Sequence, residues 1–170
     1  MFYERPTDYE RFKIKVAGAL ARWQGVELLL QQFFVAAIAS PDWRWSSAAY
    51  NAVITFRGRL DMIHEILQWR LPSEALFKEW KTLKQKLIDH SALRNKLVHW
   101  TFVGTFNEIT SDPAVYVVRP FQDARKGQSG KRITETDLEQ MEADFAILQG
   151  TLTEFQNRVR PQLALPGTPS

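Results

Sequence analysis

A chain of 170 residues, 45% hydrophobic and 24% charged, has the size and balance of one globular domain able to bury a sizeable core. It holds no cysteine, which excludes disulfides and thiolate metal sites and fits a reducing cytoplasm. Its net charge of +3 permits a polyanionic partner without demanding one.

The first residues, "MFYERPTDYERFK", are charged and lack an apolar segment, so no secretory signal is expected. The longest apolar run, "FFVAAIA" at 33–39, is far shorter than a membrane span, and a soluble protein with no membrane partner is expected. Thr7-Asp8-Tyr9-Glu10 has the form of a capping box. From there Phe12, Val16, Ala19, Leu20, Trp23, Val26, Leu30, Phe33, Phe34, Ala37 and Ile38 recur every three or four residues, which predicts a long amphipathic helix over 8–39, stopped by Pro41. Ala49, Val53, Phe56, Leu60, Ile63 and Leu67 mark a second helix over 47–70, ended by Pro72. Ser73 can cap a third, in which Leu76, Trp80, Leu83 and Leu87 lead on to about Val98.

The texture then changes. "TFVGTF" at 101–106 and "AVYVVRP" at 114–120 are β-branched and aromatic, and Asn107, Ser111, Asp112 and Pro113 lie between them, which predicts a small β-hairpin. "QDARKGQSGKR" reads as a polar loop. Thr134 or Thr136 opens a last helix over 135–160, with Leu138, Met141, Phe145, Leu148, Leu152 and Phe155 on one face. The expected fold is all-α: an antiparallel bundle of about four long helices, with the hairpin inserted between the third and the last. Residues 1–160 form one domain in this reading, and 161–170 a flexible tail.

Chemistry gathers at the end of the third helix, in "ALRNKLVHW", Ala92 to Trp100. Seven residues make nearly two turns, so Arg94 falls on the stripe of Leu87, which Leu97 and Val98 continue. A guanidinium there needs a partner, because an unpaired buried charge is costly. Glu27 lies beside the apolar stripe of the first helix and is the candidate carboxylate, the alternative being that it sits at the stripe's edge in water. Asn95 and His99, four apart, share a face, while Arg94 is about 140° from His99 around the axis and reaches toward it by length alone. Such a trio suits a phosphodiester: Arg grips phosphate oxygens, His moves a proton near neutral pH, and Asn positions a hydroxyl or phosphate. Arg and His are also ordinary residues near a helix C-terminus. His64 and His90 read as packed or edge residues. No His spacing suits zinc, and no Gly-rich phosphate loop or nucleophile elbow is present.

At "RNKLVH" the sequence resembles the HEPN superfamily, whose signature is Arg, a polar residue, three more residues and His, late in a long helix of a helical bundle. Arg94, Asn95 and His99 match it position by position. The resemblance implies a metal-independent endoribonuclease without cofactor, often a toxin or defence factor, whose composite site forms where two copies meet. By that likeness His99 is general base or acid on the ribose 2′-OH, Arg94 stabilises the phosphorane, Asn95 orients the phosphate or His99, and Glu27 supports Arg94. The partners implied are RNA, a second copy of the chain and an antitoxin protein. Some members carry a Tyr two residues after the His. Thr101 stands there in this chain, so silencing by modification of that Tyr is not implied. Lys96, Arg119, Arg125, Lys126, Lys131 and Arg132 are candidate RNA contacts, and for any one of the last five a solvated loop is the readier explanation. Two further readings remain: a non-catalytic helical module binding RNA, nucleotide or protein, and a dimeric scaffold in which Arg94 and His99 staple an interface.

Overall fold

The computed structural model describes residues 8–40, 42–105, 115–119 and 133–163. Helices dominate the described residues: α1 (Asp8–Ile38), α2 (Trp43–Ala52), α3 (Phe56–Arg70), α4 (Glu74–His99) and α5 (Glu135–Leu163). Two short strands, β1 (Thr101–Thr105) and β2 (Val115–Arg119), separate α4 from α5. The all-α class therefore holds. Thr7, with its capping box, and the turn residues Asn107, Ser111, Asp112 and Pro113 lie outside the described residues. Strand β1 pairs antiparallel with β2, Thr101 facing Arg119 and Thr105 facing Val115. None of the helices described is long and apolar enough to cross a membrane.

The chain divides into two compact units, Met1–Trp23 with Ala92–Ala146, and Gln24–Ser91 with Ile147–Ser170. In the first, Phe12, Val16, Ala19 and Trp23 of α1 are buried, as are Leu138, Met141 and Phe145 of α5. The Trp23 and Phe145 rings meet edge-on at 5.2 Å. Lys15 is paired with Glu135 and Glu139. Arg22 Nε lies 3.7 Å from Glu142 Oε1. The start of α5 is pinned twice. Ile133 exchanges both backbone hydrogen bonds with Val118, and both side chains are buried. Thr134 then caps the helix: its N–H and hydroxyl donate to Asp137 Oδ2 at 2.7 Å, and its Oγ1 accepts from the Asp137 N–H. These bonds hold the Asp137 carboxyl below its ordinary range, the backbone bond most strongly.

In the second unit, Phe33 of α1, Trp80 of α4 and Phe155 of α5 form an aromatic cluster, all three buried. Gln156 Nε2 donates to Leu29 O at 2.7 Å, and Arg70 at the end of α3 donates to Ala37 O and to Leu163 O. A Cβ on Gly25 would stand 2.8 Å from Gln149 Nε2. The partners 25 with 149, 29 with 156, and 37 with 163 through Arg70 advance in the same sense, so α1 and α5 run parallel here. In the first unit, 15 with 135 and 139, 22 with 142, and 23 with 145 do the same. This corrects the expected bundle, in which the first and last of four antiparallel helices oppose one another.

The cause lies in the second expected helix. The span 47–70 is two helices, broken at Val53-Ile54-Thr55, and a fifth helix changes the parity of up and down. Three β-branched residues in succession disfavour a helix. Thr55 instead caps α3, its Oγ1 accepting from Gly58 N at 3.1 Å, and Val53 ends α2 in an extended conformation. Asp42 caps α2 by accepting from Arg44 N at 2.9 Å. Gly58 is required by that corner, because a Cβ there would lie 2.8 Å from Thr55 Oγ1 and 2.9 Å from Val53 Cγ1. In an open helix Gly→Ala stabilises by about 1 kcal/mol. Gly58→Ala is expected to destabilise instead, by about 1–3 kcal/mol in urea unfolding, because overpacking outweighs propensity.

The expected tail also begins too early. Helix α5 continues through Pro161 to Leu163, which is buried. Pro161 cannot donate to the carbonyl four residues back. Burial of Val159 and Leu163, one turn apart on the same face, outweighs that missing bond. Residues 164–170 lie outside the described part.

Candidate functional site

Arg94, Asn95 and His99 occupy the last two turns of α4. Leu87 and Leu97 anchor the inner face and are buried. Val98, expected on the same stripe, is 48% exposed, so the apolar stripe is narrower than its spacing implied. Arg94 therefore lies on the flank of the helix, half-buried, while Asn95 and His99 are exposed. Arg94 Nη1 donates to Asn95 Oδ1 at 3.1 Å. Neighbouring residues project about 100° apart, so this bond turns the guanidinium toward the face that Asn95 shares with His99. The His99 imidazole makes no hydrogen bond or ion pair to any described residue. It closes the helix.

Glu27 belongs to the second unit and Arg94 to the first. The Glu27 carboxylate stands 3.9 Å from Arg59 Nη1, both side chains largely buried. Arg59 also donates from Nε to Val53 O at 2.9 Å and lies over the Tyr50 ring. Burial pushes the Tyr50 hydroxyl up to about 12. Arg59 is the residue the sequence reading did not connect with Glu27. It occupies the corner between α2 and α3, and that corner was read as continuous helix.

Lys96, three residues before His99, turns its ammonium to Trp100. Its Nζ lies over the Trp100 indole at 5.6 Å, and both residues line a cleft of about 340 Å³ with Ile133, Met141, Asp137 and Asp144. The two carboxylates are engaged, Asp137 by the Thr134 cap and Asp144 by Gln140 Nε2 at 2.8 Å. Their charge makes this cleft a poor seat for phosphate. Arg125, Lys126, Lys131 and Arg132 lie outside the described residues, and only the backbone pairing of Arg119 is described.

The other two histidines are half-buried. His90 Nδ1 is 2.7 Å from Lys86 O, one turn earlier. His64 lies against the Phe77 ring at 5.0 Å, and its buried Nδ1 has no hydrogen-bond partner. Burial lowers its pKa, with Lys84 and Lys81 adding to the effect and Glu65 and Asp61 opposing it. The unfolded chain therefore binds a proton at His64 before the folded chain does. Its stabilising contribution is complete above the ordinary histidine pKa and is lost as pH falls through the folded value. The urea midpoint is expected to drop between pH 7.5 and pH 5, with a shallower drop in His64→Phe. Among the described residues no three His, Asp or Glu side chains converge as metal ligands.

Compared with protein-family models, with curated proteins and with solved structures, the chain matches none.

Proposed function

We propose that this chain is a HEPN-type endoribonuclease that cleaves RNA without a metal, at a composite site formed by the α4 ends of two copies. The observation that carries the reading is the last two turns of α4. There an exposed imidazole and an exposed amide share one face, and the amide draws a guanidinium toward them. In the reaction His99 removes the ribose 2′-OH proton, and the 2′ oxygen attacks the adjacent phosphorus. The bond to the 5′ oxygen breaks, and that oxygen takes a proton from an imidazolium, leaving a 2′,3′-cyclic phosphate and a 5′-hydroxyl. Arg94 neutralises charge on the non-bridging oxygens.

The pairing of two copies is supported by the composition of the same face. Ala92, Asn95, Val98 and His99 are all exposed, and Val98 sets an apolar side chain beside the polar pair. Val98→Asp is expected to convert a dimer to a monomer in light-scattering chromatography and to reduce cleavage with it. A toxin or defence role in the cytoplasm, held in check by an antitoxin protein, belongs to the same proposal.

The test incubates purified protein with RNA in EDTA and examines the new ends. Cyclic phosphate termini are expected. Intact RNA, or cleavage that persists undiminished in His99→Ala, removes the reading and leaves a non-catalytic binding module or a dimeric scaffold.

A further inference from the structure

The second unit contains a cleft of about 600 Å³, within the range of small-molecule sites. Three helices build it, and each contributes residues one turn apart. Its floor is the α1 face carrying Leu28, Gln32 and Val35. One wall is Trp43 and Ser47 of α2, and the other is Gln156 and Arg160 of α5. Half of the described lining residues are apolar and supply affinity, and the other half carry the polar groups that orient a ligand.

Those polar groups define the ligand's chemistry. Among the described residues Arg160 is the only charged one lining the cleft, and none of them sets a carboxylate against it there. Among the described residues it makes no ion pair. Arg158, two positions earlier, is paired with Glu79. Arg160 thus offers an uncompensated guanidinium fork suited to carboxylate, sulfonate or phosphate. Trp43, 64% exposed, offers an indole face for a flat ring. The amides are already oriented. Gln31 Nε2 donates to Ser47 Oγ at 2.8 Å, and Gln156 Nε2 donates to Leu29 O at 2.7 Å. Each amide nitrogen is engaged, and each Oε1 is left to accept a bond from a ligand N–H or O–H.

From this arrangement we infer that the cleft binds a planar aromatic anion bearing a hydrogen-bond donor, its acid group on Arg160 and its ring against Trp43. The site lies in the other compact unit from Arg94 and His99, and the inference does not rest on the nuclease reading.

Two fluorescent probes separate the contributions. Anilinonaphthalene sulfonate carries rings, an N–H and an anion, and phenylnaphthylamine is the same skeleton without the anion. The full-length protein is expected to bind the sulfonate saturably, one per chain. Arg160→Gln is expected to weaken the sulfonate about tenfold, the loss of one charge-assisted contact, and to leave the neutral probe unchanged. Arg160→Lys should recover part of the affinity. Trp43→Ala should weaken both probes, and Trp45→Ala, 75% exposed and outside the cleft, neither. Arg160 and Trp43 are surface residues, so the variants are expected to keep the wild-type urea midpoint. Unsaturable sulfonate binding overturns the inference. So does an affinity that Arg160→Gln leaves within about twofold, since the anion's contact would then lie elsewhere.

Discussion

Trp80→Ala is expected to lower the unfolding free energy by about 3–5 kcal/mol, a large share of the total for a domain of this size. The indole is fully buried between two rings. Phe33 stands edge-on to it at 5.9 Å, and Phe155 stacks near-parallel at 6.0 Å. Phe33 and Phe155 themselves meet at 5.8 Å and 88°. One ring therefore joins α1, α4 and α5, and its removal leaves a void that three helices cannot all close at once. The indole also has a cost in place, because its buried Nε1 finds no hydrogen-bond partner. Trp80→Phe removes that donor and keeps most of the contact, so it is expected to cost less than about 1.5 kcal/mol. Urea unfolding of the two variants checks the ordering. A Trp80→Ala cost near that of Trp80→Phe would mean that the three rings do not hold the unit together.

Where burial follows helical period, the chain was readable before its structure. Of the apolar stripe of α1, Phe12, Val16, Ala19, Trp23, Val26, Leu30, Phe33, Phe34 and Ala37 are buried, whereas Leu20 is half-buried and Ile38, the last residue of the helix, is 37% exposed. The features that escaped depend on local competition or on distant residues. Val53 and Phe56 keep the apolar period across the break between α2 and α3, so the pattern alone carries a helix through it. The opposing signal was the β-branched triplet with a Thr cap and a Gly three residues later. Missing that break also hid the parallel run of α1 and α5 and the Arg59 partner of Glu27. Thr134 and Thr136 were equivalent openings for α5 until Asp137, three residues after Thr134, closed a capping box. The cleft in the second unit was invisible for another reason. The pairs Trp43 with Ser47 and Gln156 with Arg160 are unremarked one-turn neighbours on their own helices, and they acquire meaning only when folding sets them around α1. Arg94, Asn95 and His99 could be singled out as candidates because they lie within six consecutive residues.

On the nuclease reading proposed above, the largest functional effect is expected from Arg94, Asn95 and His99. His99→Ala should slow RNA cleavage in EDTA by about 10²–10⁴-fold, the range for loss of a general acid or base. Arg94→Ala should cost about 10²–10³-fold, as for removal of one donor to transition-state charge. Arg94→Lys should recover little, because an ammonium lacks the fork that both holds Asn95 Oδ1 and meets a phosphate. Asn95→Ala should fall between these and wild type: it leaves both reacting groups in place and removes the contact that turns the guanidinium. The double variant lacking Arg94 and His99 should be scarcely slower than His99→Ala alone, since groups that act on one transition state are not additive. Misfolding is controlled for directly. Asn95 and His99 are exposed, so their replacement should move the urea midpoint little, by less than about 0.5 kcal/mol in stability. A scaffold in which these residues only staple two copies makes the opposite forecast: assembly and stability fall together, and no cleavage is there to lose. Loss of cleavage with the dimer intact assigns His99 a part in the chemistry, and loss of both at His99→Ala would reduce its part to holding the two copies together.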